Sequence, residues 1–153
     1  MVTQADIVAA VKSAIEKKYP AEIVYENIVP NRFERPSFFV ESTGISLTAS
    51  TTETVTFRSS VRVTCFENVD EYHNSQLASL GIRQLAVMGL FAPLYIRVGS
   101  RALDVVKLTG TPGGADWTDV TVELEWDEDI AAFQDIKELP TMENLSMKLE
   151  GTT

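Results

Sequence analysis

The alternation between Val55 and Cys65 constrains this chain more than any other feature. Val55, Phe57, Val61, Val63 and Cys65 fall on one parity, and Thr56, Arg58, Ser60, Arg62 and Thr64 on the other. Successive side chains of a strand point to opposite faces, so this stretch is a half-buried strand with one polar face. Such a strand belongs in a sheet whose apolar face is covered by another layer. A second stretch reads the same way: Val120, Val122, Leu124 and Trp126 alternate with Thr121, Glu123, Glu125 and Asp127. Further strands are expected at Ile23–Tyr25, from Pro36–Val40 on toward Ile45 and Leu47, at Leu94–Val98, and at Leu103–Leu108. Pro36 stands at a strand entrance, where its missing donor does least harm. Thr109–Asp116, which holds Gly110, Pro112, Gly113 and Gly114, reads as a loop, making the flanking strands a long hairpin with a glycine-rich tip.

Two helices supply the other layer. In the first, from about Thr3 to Lys18, Ile7, Val8, Val11, Ala14 and Ile15 recur at the three-to-four spacing of one apolar stripe. Thr3 caps its start with Asp6 three residues on, a variant of the capping box. Lys12, Lys17 and Lys18 lie toward the end that the helix dipole makes negative, and Tyr19-Pro20 stops the ladder. The second helix, from about Asn74 to Leu90, is different. Leu77, Leu80, Ile82, Leu85, Val87, Met88, Leu90 and Phe91 leave it almost no polar face, and Arg83 is its one formal charge. A helix apolar nearly all round needs cover on more than one side. The sheet is one cover; the other is either the first helix or a neighbouring subunit. After Asp127-Glu128-Asp129 the pattern is ambiguous as far as Pro140, and Leu145, Met147 and Leu149 point to a short final strand. The fold class is α+β, in the order αβββαββ(β).

The chain's 153 residues make one domain with a sizeable core, and its 44% apolar and 23% charged content is that of a globular protein. No stretch is long and apolar enough to cross a bilayer, and Met1–Asp6 lacks the basic-then-apolar start of a secretory signal. One cysteine, Cys65, cannot form an internal disulfide, which fits a reducing compartment. Thirteen basic against 22 acidic residues give a net charge of −9, a field that repels phosphate, so tight DNA binding is not expected.

Catalytic chemistry finds little to work with. The single histidine, His73, lies in the polar run Asp70-Glu71-Tyr72-His73-Asn74, and reads as the approach to the second helix rather than as a general base. Cys65 shares a strand's apolar face with Val63, the setting of an inert packed thiol. One histidine and one cysteine leave no structural zinc site. Glu123, Glu125, Asp127, Glu128 and Asp129 form the best metal candidate, but their spacing matches no calcium loop. The row reads instead as a solvated strand face, partly neutralised by Arg58 and Arg62 across the sheet. Gly110, Gly113 and Gly114 are not followed by the lysine and hydroxyl of a phosphate loop. No active site, metal or cofactor is expected.

The run Ile23-Val24-Tyr25-Glu26, followed by Arg32-Phe33-Glu34-Arg35-Pro36-Ser37-Phe38-Phe39-Val40, resembles the prophage tail terminator family. Members open with an amphipathic helix ending near a proline, then show a short strand ending in tyrosine, a phenylalanine, and a strand of the pattern Pro, Ser or Cys, Phe, Phe. A charged and apolar strand like Thr54–Phe66, a helix and a hairpin follow. The likeness spans about Asp6 to Asp127 and is structural rather than chemical. This chain departs in carrying Cys65-Phe66-Glu67 where a Tyr-Phe-Pro-like strand end is expected, and in a longer tail after Phe133.

The resemblance implies a mixed, mostly antiparallel sheet flanked by two main helices. Residues 1–133 would form the domain, and residues 134–153 an extension serving as an added strand or a partner-contacting arm. It further implies a non-enzymatic virion protein, assembled in the bacterial cytoplasm into a hexameric ring on the head-proximal end of the tail tube. Such a ring stops tube polymerisation and offers the face on which the head docks. Its partners would be further copies of itself, the tail tube protein, the head-tail connector or neck protein and, in contractile tails, the sheath. DNA would pass through without specific binding, and no membrane is involved. The assembly candidates are Arg32, Phe33 and Arg35 in the first long loop, and Arg83 on the second helix. Pro112, Gly113 and Gly114 at the hairpin tip and Glu123, Glu125 and Asp127 on the acidic face complete the set. Another neck, tail-completion or tube-like subunit is the competing structural reading, and a metal- or small-ligand-binding module the competing chemical one.

Overall fold

The computed structural model describes residues 1–135. In chain order its elements are α1 (Gln4–Lys18), β1 (Ile23–Glu26), β2 (Ser37–Ala49), β3 (Thr54–Phe66), α2 (Leu77–Leu90), β4 (Tyr95–Val98), β5 (Arg101–Pro112), β6 (Trp117–Asp129) and α3 (Ile130–Gln134). The strands form one mixed sheet in the order β1-β2-β3-β6-β5-β4. Only β1 and β2 run parallel; the remaining neighbours are antiparallel.

The alternation that opens the sequence argument sets this architecture. On β3, Val61, Val63 and Cys65 are fully buried, with Val40 of β2 and Val120 of β6 in register on either side of Val63. These side chains make one continuous apolar face. Over it lies α1, whose Ile7, Val8, Val11 and Ile15 are at most 2% exposed. Burying a side chain of this kind stabilises the fold by about 1.5–3 kcal/mol. The start of α1 is the expected capping box: the Thr3 hydroxyl accepts from the Asp6 amide at 3.2 Å, and the Asp6 carboxylate accepts from the Thr3 amide at 2.9 Å. This helix touches β1 and β4, the two opposite edges of the sheet, so the sheet curls around it.

Two local expectations are corrected and one ambiguous stretch is resolved. Thr109–Pro112 are strand rather than loop: Thr109, Gly110, Thr111 and Pro112 stand in register with Thr121, Val120, Asp119 and Thr118. The Gln84 amide of α2 fastens this end, donating to the carbonyls of Thr111 at 3.1 Å and Asp119 at 2.9 Å. Only residues 113–116 remain as the turn. The second helix starts at Leu77 instead of Asn74, because the Asp70 carboxylate accepts from the Tyr72 and Asn74 amides and draws those residues into a turn. The ambiguous stretch after Asp129 begins with the short α3, whose Phe133 packs edge-on against Phe57. The final strand read at Leu145–Leu149 lies outside the described residues.

Candidate assembly surfaces

The second helix meets the sheet with Leu80, Arg83 and Val87, all buried. Its opposite side is open: Leu77 is 82% exposed, Ile82 70% and Leu85 67%. The first helix does not cover this stripe. Of the two covers the apolar pattern left open, the one within the subunit is absent among the described residues.

Arg83, expected at a contact surface, is held inside the subunit. Its guanidinium pairs with both carboxylate oxygens of Glu22, with Glu67 at 4.0 Å. It also lies over the Phe38 ring, 4.1 Å from the centroid, and over Tyr19 at 5.1 Å. A lone charge in an otherwise apolar helix is therefore an internal clamp. It fixes which face of α2 turns inward and so which face stays outward.

The first long loop is tied down rather than free. Phe33 packs between Tyr25 and Phe66, with centroid distances of 6.4 and 4.5 Å. Arg35 stacks on Phe33 and Phe66, donates to the Glu67 carbonyl at 3.0 Å and pairs with the Asp116 carboxylate. That pair joins the loop to the hairpin tip, so Phe33, Arg35, Pro112, Gly113 and Gly114 gather at one end of the sheet. Arg32 is exposed on the same loop. The tip requires glycine, since a Cβ on Gly113 or Gly114 would overlap the Trp117 indole.

The acidic row runs away from that end along the outer sheet face. Arg58 donates to Glu125 at 3.1 and 2.6 Å, and Thr56 to Asp127 at 2.5 Å. Glu123 stands opposite Lys107 in register. Arg62 departs from the expectation, turning to Glu41 on β2 rather than to the row. Nearby, burial pushes the Asp119 carboxyl above its ordinary range, partly offset by the hydrogen bond from Thr64 and the charge of Arg62. Exposed pairs of this sort contribute at most about 1 kcal/mol each, so the row is a solvated, laterally paired face.

Nucleophiles and metal ligands are not assembled among the described residues. Among the described residues no three His, Cys, Asp or Glu side chains converge to hold a metal ion. Cys65 is fully buried, and loss of solvation pushes its thiol up to about 12. His73 sits on the exposed turn before α2 at φ +59°. Among the described residues no helix is long and apolar enough to cross a membrane. The partners Glu22, Glu41 and Asp116 carried no signal in the sequence, because each meets its arginine only through tertiary folding. The composition of α2 did signal that Arg83 was unusual.

The fold and its surfaces define a class: an α+β domain with a packed interior, a clamped helix that keeps an apolar stripe exposed, and no assembled catalytic or metal site among the described residues. A family profile described as phage tail terminator protein matches residues 6–105. The chain belongs to the phage tail terminator family. No curated protein matches it. One solved structure, 14% identical, covers 92% of this chain and 100% of its own with a TM-score of 0.51, a likeness of fold.

Proposed function

We propose that this protein closes the head-proximal end of a phage tail tube as a ring, ending tube growth and providing the face on which the head docks. Family membership makes it a phage tail protein and points to a structural part rather than an enzyme. The observation that carries the ring is the open stripe Leu77, Ile82 and Leu85 on α2. An exposed apolar patch of this kind marks a contact surface. Closure into a ring is head-to-tail and needs two different patches on each subunit. The second is offered by Leu94, Tyr95 and Val106, exposed on and beside β4 and β5. The end where Arg35 meets the hairpin tip is a rigid rim suited to the tube or to the neck protein, and in contractile tails to the sheath.

Leu85→Glu tests the reading. Leu85 is 67% exposed, so the variant keeps its fold, measured by circular dichroism. Light scattering across a concentration series, with negative-stain images, reads the assembly. For a parent that is monomeric alone, binding to purified tail tubes replaces the mass. The expected result is a folded variant that loses the ring or tube binding. A variant that forms the same ring or binds tubes equally well would overturn the role of this stripe.

A further inference from the structure

We infer that the basic groove between α1 and β4 is a docking site for a second copy of this chain, and that it receives the acidic turn at Glu71 of that copy. This contact rests on the ring proposed above and supplies its charged half.

The charge of the subunit opposes self-association. Each copy carries −9, and a net charge of that size ordinarily keeps proteins apart. A contact between copies therefore needs cations placed where the neighbour's carboxylates arrive. Most of the cations are already engaged: Lys12, Arg35, Arg58, Arg62, Arg83 and Arg101 each pair with a carboxylate of their own subunit. Lys17, Lys18, Arg32, Arg97 and Lys107 stand outside such pairs among the described residues, and Lys107 faces Glu123 in register. Lys17, Lys18 and Arg97, all exposed, line one groove of about 520 Å³. Ala14, Leu90 and Ile96 are among its apolar walls, and no acidic side chain lines it among the described residues. An acidic subunit thus keeps its uncompensated cations together in one place.

The occupant follows from what flanks each half of the contact. Arg97 projects from the same side of β4 as Tyr95, next to Leu94, so the receiving surface is basic at one part and apolar at the other. The α2 stripe is built in the complementary way. Ahead of Leu77 in the chain stands Glu71, exposed beside the exposed Tyr72 and outside every ion pair among the described residues. Asp70 is less free to serve, because its carboxylate already accepts from the Tyr72 and Asn74 amides. One surface carries a carboxylate next to an apolar stripe; the other carries three cations next to an apolar patch. Because the two surfaces differ, the contact is head-to-tail and each copy uses both. The apolar walls of the groove suit a side chain such as Tyr72 better than a phosphate backbone, so nucleic acid is the rival occupant.

Charge reversal with rescue tests this. Lys17→Glu with Lys18→Glu, and separately Arg97→Glu on β4, are checked for fold by circular dichroism. Sedimentation equilibrium reads association; where the parent is monomeric alone, cross-linking between copies bound to purified tail tubes replaces it. Each reversal is expected to weaken association about 10-fold or more, since attraction gives way to repulsion. Adding Glu71→Lys to the Lys17→Glu, Lys18→Glu variant is expected to recover most of that loss. Association unchanged by the reversals, or a loss that Glu71→Lys does not recover, overturns the proposal. Leu85→Glu in the same assay separates the two readings: association lost there but kept on charge reversal overturns this contact and leaves the ring standing. A parent that associates neither alone nor on tubes overturns both. Reversals that abolish binding to double-stranded DNA while association persists also overturn the proposal, assigning the groove to phosphate.

Discussion

Replacing Glu22 by glutamine isolates the clamp that orients α2. The Arg83 side chain is 7% exposed, and Glu22 and Glu67 are 17% and 20% exposed. Breaking a buried pair by removing one partner costs about 3–5 kcal/mol, because the remaining charge is left without compensation. Two features of the site reduce that figure. The side-chain carbonyl of the introduced glutamine would still accept one N–H, and Glu67, at 4.0 Å, can move onto the guanidinium. The expected loss is therefore about 3 kcal/mol, at the lower end. Removing the cation instead, as Arg83→Met, leaves Glu22 near enough to solvent to rehydrate. It forfeits the stacking on Phe38 and Tyr19, about 2 kcal/mol at this desolvated site. The order of the two losses is the sharper prediction: neutralising Glu22 harms more than deletion of the arginine. Urea unfolding followed by the fluorescence of Trp117 and Trp126 measures both. A loss below about 1 kcal/mol for Glu22→Gln, or the reverse order, would refute the view that Arg83 is a buried charge dependent on Glu22.

Two further outcomes follow from the interior and from the start of α1. Cys65, buried with its thiol pushed up to about 12, is expected to react with a thiol reagent only at the rate of unfolding; rapid labelling of the native protein would contradict its burial. Thr3→Ala removes the cap and is expected to cost about 1 kcal/mol near neutral pH. Hydrogen bonds from Thr3 hold the Asp6 carboxyl below its ordinary value of 3.8, so their contribution is present above that value and is lost as pH falls through the lowered one. The Thr3→Ala penalty should shrink correspondingly in acid; a penalty unchanged there would separate the cap from Asp6.

The elements legible in the sequence were those written by periodicity. Val55–Cys65, Val120–Trp126 and Ile7–Ile15 each repeat a simple interval, and each became the expected strand or helix with the expected face inward. Where composition stood in for periodicity, the reading slipped. Thr109–Pro112 carries a glycine and a proline, yet the Gln84 amide and pairing with β6 hold it extended. Gly110 is useful there, since a Cβ would press on the Gln84 side chain. Among the candidate contact residues, Phe33, Arg35 and the hairpin tip come together, but through Asp116, which no local pattern distinguishes from the other acidic residues. Arg83 stood out as the one formal charge of its helix and was read as an assembly candidate; in the fold its side chain is buried against Glu22. Periodicity says that a helix is apolar all round, whereas which stripe is left open depends on where one buried cation finds its carboxylate.

The arrangement of the remaining charges supports passage of DNA without capture. Arg35, Arg58, Arg62, Arg83 and Arg101 are each engaged by a carboxylate of the same subunit. An arginine already bridged to a carboxylate has little to offer a phosphate, because binding would have to replace an existing ion pair. The net charge of −9 then dominates the outside, and six copies arranged as a ring would carry −54. A polyanion near such a surface is repelled at distances up to the screening length, about 8 Å at physiological ionic strength. Contacts with protein need no such cations: the open stripe of α2 is uncharged, and in the proposed ring its burial against another chain would be driven by loss of apolar surface from water. Folding thus pairs these arginines with carboxylates of the same chain and leaves leucines of α2 outward, which is the pattern the proposed ring would use to hold its neighbours and let nucleic acid go by.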